Sequence, residues 1–257
     1  MADTARGAPR IERRPLVLGH RGASAEAPEN TLAAFRLAMA EGADGVELDV
    51  WRCASGEVVV FHDEDARRIA GEALRIRDAP LAALRALDVG AHRGSRFRGE
   101  RIPLLAEVLA ALPGAVVNVE LKSRGRDLRL AAAAAHVIAA AGASDRVIIS
   151  AFDFRLLSAF RVAAPDLPVG LLFDAGHPWR LRTALAIPLL GPAAVHPDRR
   201  LVTPSRVARW RERGLGVNVW TVDAPEEVER LARLGVTALI SNAPGRAREV
   251  VRRACGC

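Results

Sequence analysis

Short apolar runs and amphipathic stretches alternate along this chain almost from end to end. Runs rich in Val, Ile, Leu and Ala read as buried strands at Leu16–Gly19, Gly45–Val50, Val58–Phe61, Ala115–Leu121, Arg146–Ser150 and Pro168–Phe173. The same signal recurs around Val195, at Gly216–Trp220 and at Ala238–Ile240. Between these runs, apolar residues fall at helical spacing over Thr31–Glu41, Leu104–Leu112, Leu128–Ala141, Phe154–Ala163 and Pro178–Ile187, and again over Pro204–Arg213, Pro225–Leu234 and Pro244–Arg253. Asn30 or Thr31 stands where a helix N-cap is needed, and Gly142 where a helix ends. Pro178, Pro204, Pro225 and Pro244 each sit at a helix start, where their missing N–H costs nothing.

Repeated strand-then-helix units predict a parallel sheet. Eight such units in 257 residues favour a closed TIM (β/α)8 barrel over an open doubly wound sheet. No Gly-x-Gly-x-x-Gly follows the first strand, which weighs against a dinucleotide fold. After Val58–Phe61 the chain is irregular and rich in Arg and Gly up to Arg101. Residues 1–14 are expected to be a disordered or loosely attached tail, and 15–257 the barrel domain.

Charged residues interrupt the apolar pattern at the strand ends, where their burial is costly and calls for a common purpose. They are His20-Arg21-Gly22, Glu47 and Asp49, His62-Asp63, and Glu120 with Lys122. Active sites of barrels form at the C-terminal ends of the strands. Residues two apart on a strand face the same way, so Glu47 points with Asp49 and Glu120 with Lys122. Three carboxylates converging in a barrel mouth suit one hard divalent cation, Mg²⁺ or Ca²⁺. The alternative is a strand-end salt bridge, against which no arginine shares their strand face. His20 and His62 have the near-neutral pKa that general acid–base chemistry uses, although either alone would serve equally well as a structural histidine. Arg21 can grip a phosphate with two hydrogen bonds, and Gly22 allows a close backbone approach. Asp63 is placed to orient His62 or to cap a turn. Metal-binding acids, proton-moving histidines and anion-holding cations add up to phosphoryl chemistry.

Composition narrows the setting. The net charge of +7 and pI near 10.8 invite a nucleic-acid reading, but the arginines are dispersed, tyrosine is absent and aromatics make up 4%. The one local cluster is Arg93, Arg96, Arg98 and Arg101. Lys122 is the only lysine among 37 basic residues, and its survival in so Arg-rich a chain suggests a need for a compact ammonium. Met1–Pro15 carries four arginines and no apolar run, so no secretory signal is read there. The Ala-rich Leu130–Ala141 is too short to span a bilayer. Cys53, Cys255 and Cys257 make neither a disulfide framework nor a zinc set. A soluble cytoplasmic protein without stable membrane insertion, a monomer or homodimer, is expected.

The combination of motifs resembles the glycerophosphodiester phosphodiesterase family from His20 to Pro244. The family pattern is His-Arg-Gly, Glu-Asn-Thr (Glu29, Asn30, Thr31), Glu-x-Asp, His-Asp, Pro-x-Leu-x-Glu (Pro103, Leu105, Glu107), Glu-x-Lys and a late Trp-Thr (Trp220, Thr221). The resemblance implies a TIM barrel with a small insertion after strand two, near Cys53–Arg101, and metal-dependent hydrolysis of glycerophosphodiesters to glycerol 3-phosphate and an alcohol. It implies Glu47, Asp49 and Glu120 as metal ligands, His20 and His62 as acid and base, and Arg21 and Lys122 as phosphate-binding groups. Phe152 and Trp220, with Phe173, stand where they would wall the substrate pocket or simply pack as core. The chain departs from the family at Ser241-Asn242-Ala243-Pro244, where Thr-Asp-x-Pro is usual; Asn242 is expected to cap the helix that follows. Beside nucleic-acid binding, which fits the pI alone, two rival readings remain at this point. One is a lysophospholipase D acting at a membrane surface with help from the Arg93–Arg101 patch. The other is a catalytically dead barrel kept as a binding module.

Overall fold

The computed structural model describes residues 14–122, 127–176 and 187–256. The expected tail up to residue 13, Cys257, and all of the Pro178–Ile187 helix except Ile187 lie outside the described residues. The strands are β1 (Leu16–His20), β2 (Gly45–Arg52), β3 (Val58–Val60), β4 (Val116–Leu121), β5 (Val147–Ala151), β6 (Val169–Phe173), β7 (Ala194–Pro197), β8 (Gly216–Val219) and β9 (Ala238–Ser241). All but β3 run parallel in the order β1-β2-β4-β5-β6-β7-β8-β9, and β9 pairs back onto β1 to close an eight-stranded barrel. The Val58–Phe61 run is therefore a strand outside the barrel. It pairs antiparallel with the projecting end of β2, Val60 opposite Val50.

Alternation along the strands separates two cores. Val46, Leu48 and Val50 of β2 and Val117, Val119 and Leu121 of β4 join the large core beneath the helices. Helices α1 (Leu32–Ala40), α4 (Leu105–Ala111) and α5 (Arg129–Ala140) cover that side with Phe35, Ala38, Val108, Leu130, Ala134 and Ile138. The intervening residues face the barrel interior. There Leu18, Ala238 and Ile240 form a small apolar floor, with Trp220 packed against it. Above them, Glu47 and Asp49 stand level with Asn118 and Glu120 on the neighbouring strand. A buried polar layer crosses the same interior. Asn118 donates to Ser150 at 3.2 Å, and Asn218 lies 3.0 Å from His196 Nε2. His196 is fully buried, and burial lowers its pKa to about 3, so it stays neutral. Gly170 makes room for this ring, since a Cβ there would lie 2.2 Å from His196 Nε2.

The segment between β2 and α4 has a core of its own. Trp51, Cys53, Val59, Phe61, Ile69, Ile76, Leu84 and Ile102 pack together apart from the main core. Short helices α2 (Arg67–Ala70) and α3 (Leu81–Ala86) belong to this insertion. Helix α6 (Phe154–Ala163) and helices α7 (Pro204–Arg211), α8 (Pro225–Arg233) and α9 (Pro244–Cys255) complete the outer ring. Among the described residues no helix is long and apolar enough to cross a membrane.

The end of the barrel remote from the charged strand ends is tied by Asp44, just before β2. Its carboxylate accepts from Arg14 at 2.8 and 2.9 Å and from the Val17 N–H at 2.8 Å, and Arg248 of α9 lies 3.3 Å away. Burial pushes this carboxyl up, but Arg14, the Val17 N–H and Arg248 together hold it below its usual range. A depressed folded-state pKa gives stability that is present above the unfolded value and lost as pH falls through the folded one. Asp44→Asn should therefore cost about 1–3 kcal/mol in urea unfolding near neutral pH. The gap to wild type should close as pH is taken below the ordinary aspartate value of about 3.9.

Candidate active site

The first loop of the barrel reaches the site through an unfavourable backbone. Arg21 and Asn30, both non-glycine, have φ of 57°, a conformation that costs of order 1 kcal/mol each and persists only where the surroundings enforce it. Hydrogen bonds enforce it here. Arg21 N–H donates to the Glu47 carbonyl at 2.9 Å and is 3.1 Å from Glu47 Oε2, while the Asn30 N–H returns to the Arg21 carbonyl at 3.0 Å. Gly22 (φ +88°) lets the loop lie against α1, where a Cβ would come within 2.6 Å of the Ala34 backbone. Thr31, rather than Asn30, caps α1 by accepting from the Ala34 N–H at 3.2 Å. The Asn30 amide is thereby free for the site. It donates to Asp49 Oδ2 at 2.9 Å and accepts from the Asp49 N–H at 3.3 Å.

Glu47, Asp49 and Glu120 come together with ligand oxygens within 4.8 Å of one another, all buried. Lys122 Nζ bridges two of them, 3.1 Å from Asp49 Oδ1 and 2.5 Å from Glu120 Oε1. An arginine does share this face, contrary to the expectation from sequence. Arg21 Nε lies 3.2 Å from Asp49 Oδ2, an ion-pair contact without hydrogen-bond alignment. It arrives from the end of β1, so spacing along β2 could not reveal it. Among the described residues, two cations stand against these three carboxylates. Burial, then Asp49 and Glu120, push the Glu47 carboxyl far above its usual range. Burial also raises Glu120 despite Lys122. Asp49 resists burial because Lys122 and Arg21 hold it well below the usual range.

The two histidines have matched tethers on Nδ1 but different partners. His20 Nδ1 is 2.7 Å from Asn242 Oδ1, and its Nε2 is 3.9 Å from Glu47 Oε2. Asn242 Nδ2 donates to Asp223 Oδ2 at 2.6 Å, which turns the amide oxygen toward His20. Burial and the nearby Arg21 charge lower the His20 pKa to about 4. His62 Nδ1 is instead 2.6 Å from the Asp63 carboxylate. Burial lowers its pKa, Asp49 opposes this, and Lys122 and Arg21 lower it further. Phe152 and Trp220 meet edge to face, with ring centroids 5.7 Å apart, and Trp220 Nε1 donates to the His196 carbonyl at 2.8 Å. Phe173 is no wall of this site, being buried against Trp210 of α7 at 5.9 Å. Glu107 caps α4 through the Leu104 N–H at 2.8 Å and pairs with Arg85, a structural duty away from the carboxylates.

Residues 20–246 match the glycerophosphoryl diester phosphodiesterase family. The chain belongs to this family. It is 36% identical to a glycerophosphodiester phosphodiesterase of Caldanaerobacter subterraneus subsp. tengcongensis, over 93% of this chain and 98% of the relative. The barrel superposes on a phosphodiesterase of Oleispira antarctica solved with its product sn-glycerol-3-phosphate, with a TM-score of 0.85 and 29% identity, covering 93% of this chain and 97% of the other. A glycerophosphodiester phosphodiesterase of Thermotoga maritima gives a TM-score of 0.74 at 30% identity, over 92% of this chain and 98% of that one. The family consists of phosphoric diester hydrolases.

The departure at Asn242 now has a physical account. Asn242 does not cap α9, whose N-cap is Ala243. Its side chain relays between His20 and Asp223, which also accepts the Asn242 N–H at 2.8 Å and the Ser241 hydroxyl at 3.0 Å. The carboxylate thus stands one residue further from the histidine than an aspartate at 242 would place it. Reading the sequence also missed Glu29 and Arg68, which grip Arg21 and Asp63; Glu29 at least lay within a quoted motif. Asn242→Asp would set a carboxylate against Asp223 and remove a donor. It should cost about 1–3 kcal/mol in thermal unfolding, and Asp223→Asn in the same chain should recover most of the loss.

Proposed function

We propose that the protein hydrolyses glycerophosphodiesters to glycerol 3-phosphate and an alcohol, using one divalent cation and the two histidines His20 and His62. The observation that carries this reading is the buried set Glu47, Asp49 and Glu120, which among the described residues has Lys122 and Arg21 as its cationic neighbours. Hard oxygen donors converging in this way fit Mg²⁺ or Ca²⁺. When bound, such an ion offsets charge on the phosphoryl oxygens and orients the diester.

The chain's own groups divide the remaining work. Arg21 and Lys122 hold non-bridging phosphoryl oxygens, Arg21 as a planar fork and Lys122 as a point charge. His20 is neutral, with Nδ1–H held by the Asn242 carbonyl oxygen, so its Nε2 lone pair can take a proton from the attacking water, whose oxygen bonds to phosphorus as the bond to the alcohol breaks. His62 has a carboxylate on Nδ1, which works against the lowering of its pKa by burial, Lys122 and Arg21, and in its protonated form it donates a proton to the leaving alcohol. Phe152 and Trp220 flank the mouth and bound the space for the alcohol.

The arginine patch does not favour action at a membrane surface. Arg93 donates to the Ser24 carbonyl at 2.8 Å, Arg96 to the Glu26 carbonyl at 3.0 Å, and Arg101 to the Ala86 and Leu87 carbonyls at 2.9 and 3.0 Å. These side chains hold loops of the protein itself.

Glycerophosphocholine turnover, measured with and without a chelator, tests the reading. Hydrolysis that a chelator stops and added Mg²⁺ or Ca²⁺ restores is expected, whereas undiminished turnover in the metal-free protein would overturn the carboxylate assignment. A finer test is Lys122→Arg, since the Lys122 ammonium is mostly buried between two carboxylates where a longer planar group would not fit. Folding and net charge should persist while kcat/KM falls about 10²–10³-fold, the scale of losing one preorganised donor. Wild-type activity would mean that the lone lysine is a chance survivor.

A further inference from the structure

The insertion reaches the barrel mouth through one side chain. Arg68 lies on the single-turn helix α2, with its side chain half exposed. Its Nε donates to Asp63 Oδ2 at 2.7 Å, while Nη1 and Nη2 donate to Glu29 Oε2 and Oε1 at 2.8 and 2.7 Å. Each of these acceptors holds a site residue on its other side. Asp63 Oδ1 pairs with His62 Nδ1 at 2.6 Å, and Glu29 Oε1 also accepts from Arg21 Nη1 at 2.9 Å. Arg21 follows β1 and His62 follows β3, so two separate loops are joined through one planar group.

Half-exposed ion pairs contribute little to stability, so stability is a poor account of this arrangement. Geometry is a better one. The guanidinium carries five donors in a rigid plane, which fixes the angle between whatever carboxylates it serves. Groups that act together on one substrate must be held within about 0.5 Å of their working positions. We propose that Arg68 is a positioning residue that sets Arg21 against His62, making the insertion part of the catalytic apparatus. The proposal rests on the roles given above to Arg21 and His62. A lysine at 68 would keep the charge, but it is a point donor and could not hold both carboxylates in one plane.

Arg68→Lys and Arg68→Ala test this, with glycerophosphocholine as substrate and glycerol 3-phosphate as competing ligand. Both variants should melt with the wild type and lose about 10²-fold in kcat/KM, the scale expected from a displacement of about 1 Å. The loss should appear in both parameters. Loosening His62 lowers kcat, and loosening Arg21 raises KM and weakens inhibition by glycerol 3-phosphate. Lysine should not rescue. The His62 Nδ1 proton resonance, which requires no turnover, should be visible in the wild type and lost in both variants. Full activity in Arg68→Lys, or an unchanged resonance in Arg68→Ala, would overturn the proposal. If the wild type does not turn over glycerophosphocholine, the functional reading fails alone, and the resonance and glycerol 3-phosphate binding still decide the role of Arg68.

Discussion

Three carboxylates buried on two adjacent strands are the constraint around which this molecule is arranged. Left alone, Glu47, Asp49 and Glu120 would repel one another in a medium that solvates charge poorly. The protein meets that cost in stages. Lys122 rises from the end of β4 between Asp49 and Glu120, Arg21 comes over from β1, and Asn30 gives Asp49 both a donor and an acceptor. The backbone at Arg21 and Asn30 is held in the left-handed region to make these contacts. Burial, and then the charges of Asp49 and Glu120, still raise the Glu47 carboxyl well above its usual range.

A second ring of charge surrounds the first. Glu29 and Asp63 are each shared between a site residue and Arg68, while Asp223 acts on His20 through Asn242. The insertion further holds the first loop through Arg93 and Arg96, whose guanidinium groups close on the carbonyls of Ser24 and Glu26. A segment with a small core of its own thus fixes the loop that carries Arg21. In a barrel, where the site is assembled from several loops, such lateral ties give otherwise independent loops a common frame.

Much of this was legible in the sequence because the relevant signals are local. Apolar runs end where the strands end, prolines mark helix starts at Pro204, Pro225 and Pro244, and the Glu-x-Asp and Glu-x-Lys spacings put paired side chains on one strand face. Lateral partners were not legible. Val58–Val60 has the composition of any buried strand, and only its pairing with the end of β2 puts it outside the barrel. Arg21 against Asp49, Arg68 against Glu29 and Asn242 against His20 join residues far apart in the chain, and no spacing rule encodes such a meeting. Phe173 shows the same limit: its alternation predicts burial but cannot say against which layer. Gly22 allows the close backbone approach that its sequence context predicts, and the partner it approaches is α1, at Ala34.

The proposed function makes Glu47, Asp49 and Glu120 a cation site in which the carboxylates outnumber the described cations beside them. Calorimetric titration of the metal-free protein with Mg²⁺ or Ca²⁺, in buffers of differing ionisation heat, measures it most directly by counting protons exchanged per ion bound. Because burial, with Asp49 and Glu120 beside it, raises the Glu47 pKa, a bound cation should lower it again and release protons over the pH range in which the metal-free carboxyl is still protonated, and Glu47→Gln should abolish that release and weaken binding. Tight binding without proton release, or equal affinity in Glu47→Gln, would contradict the account.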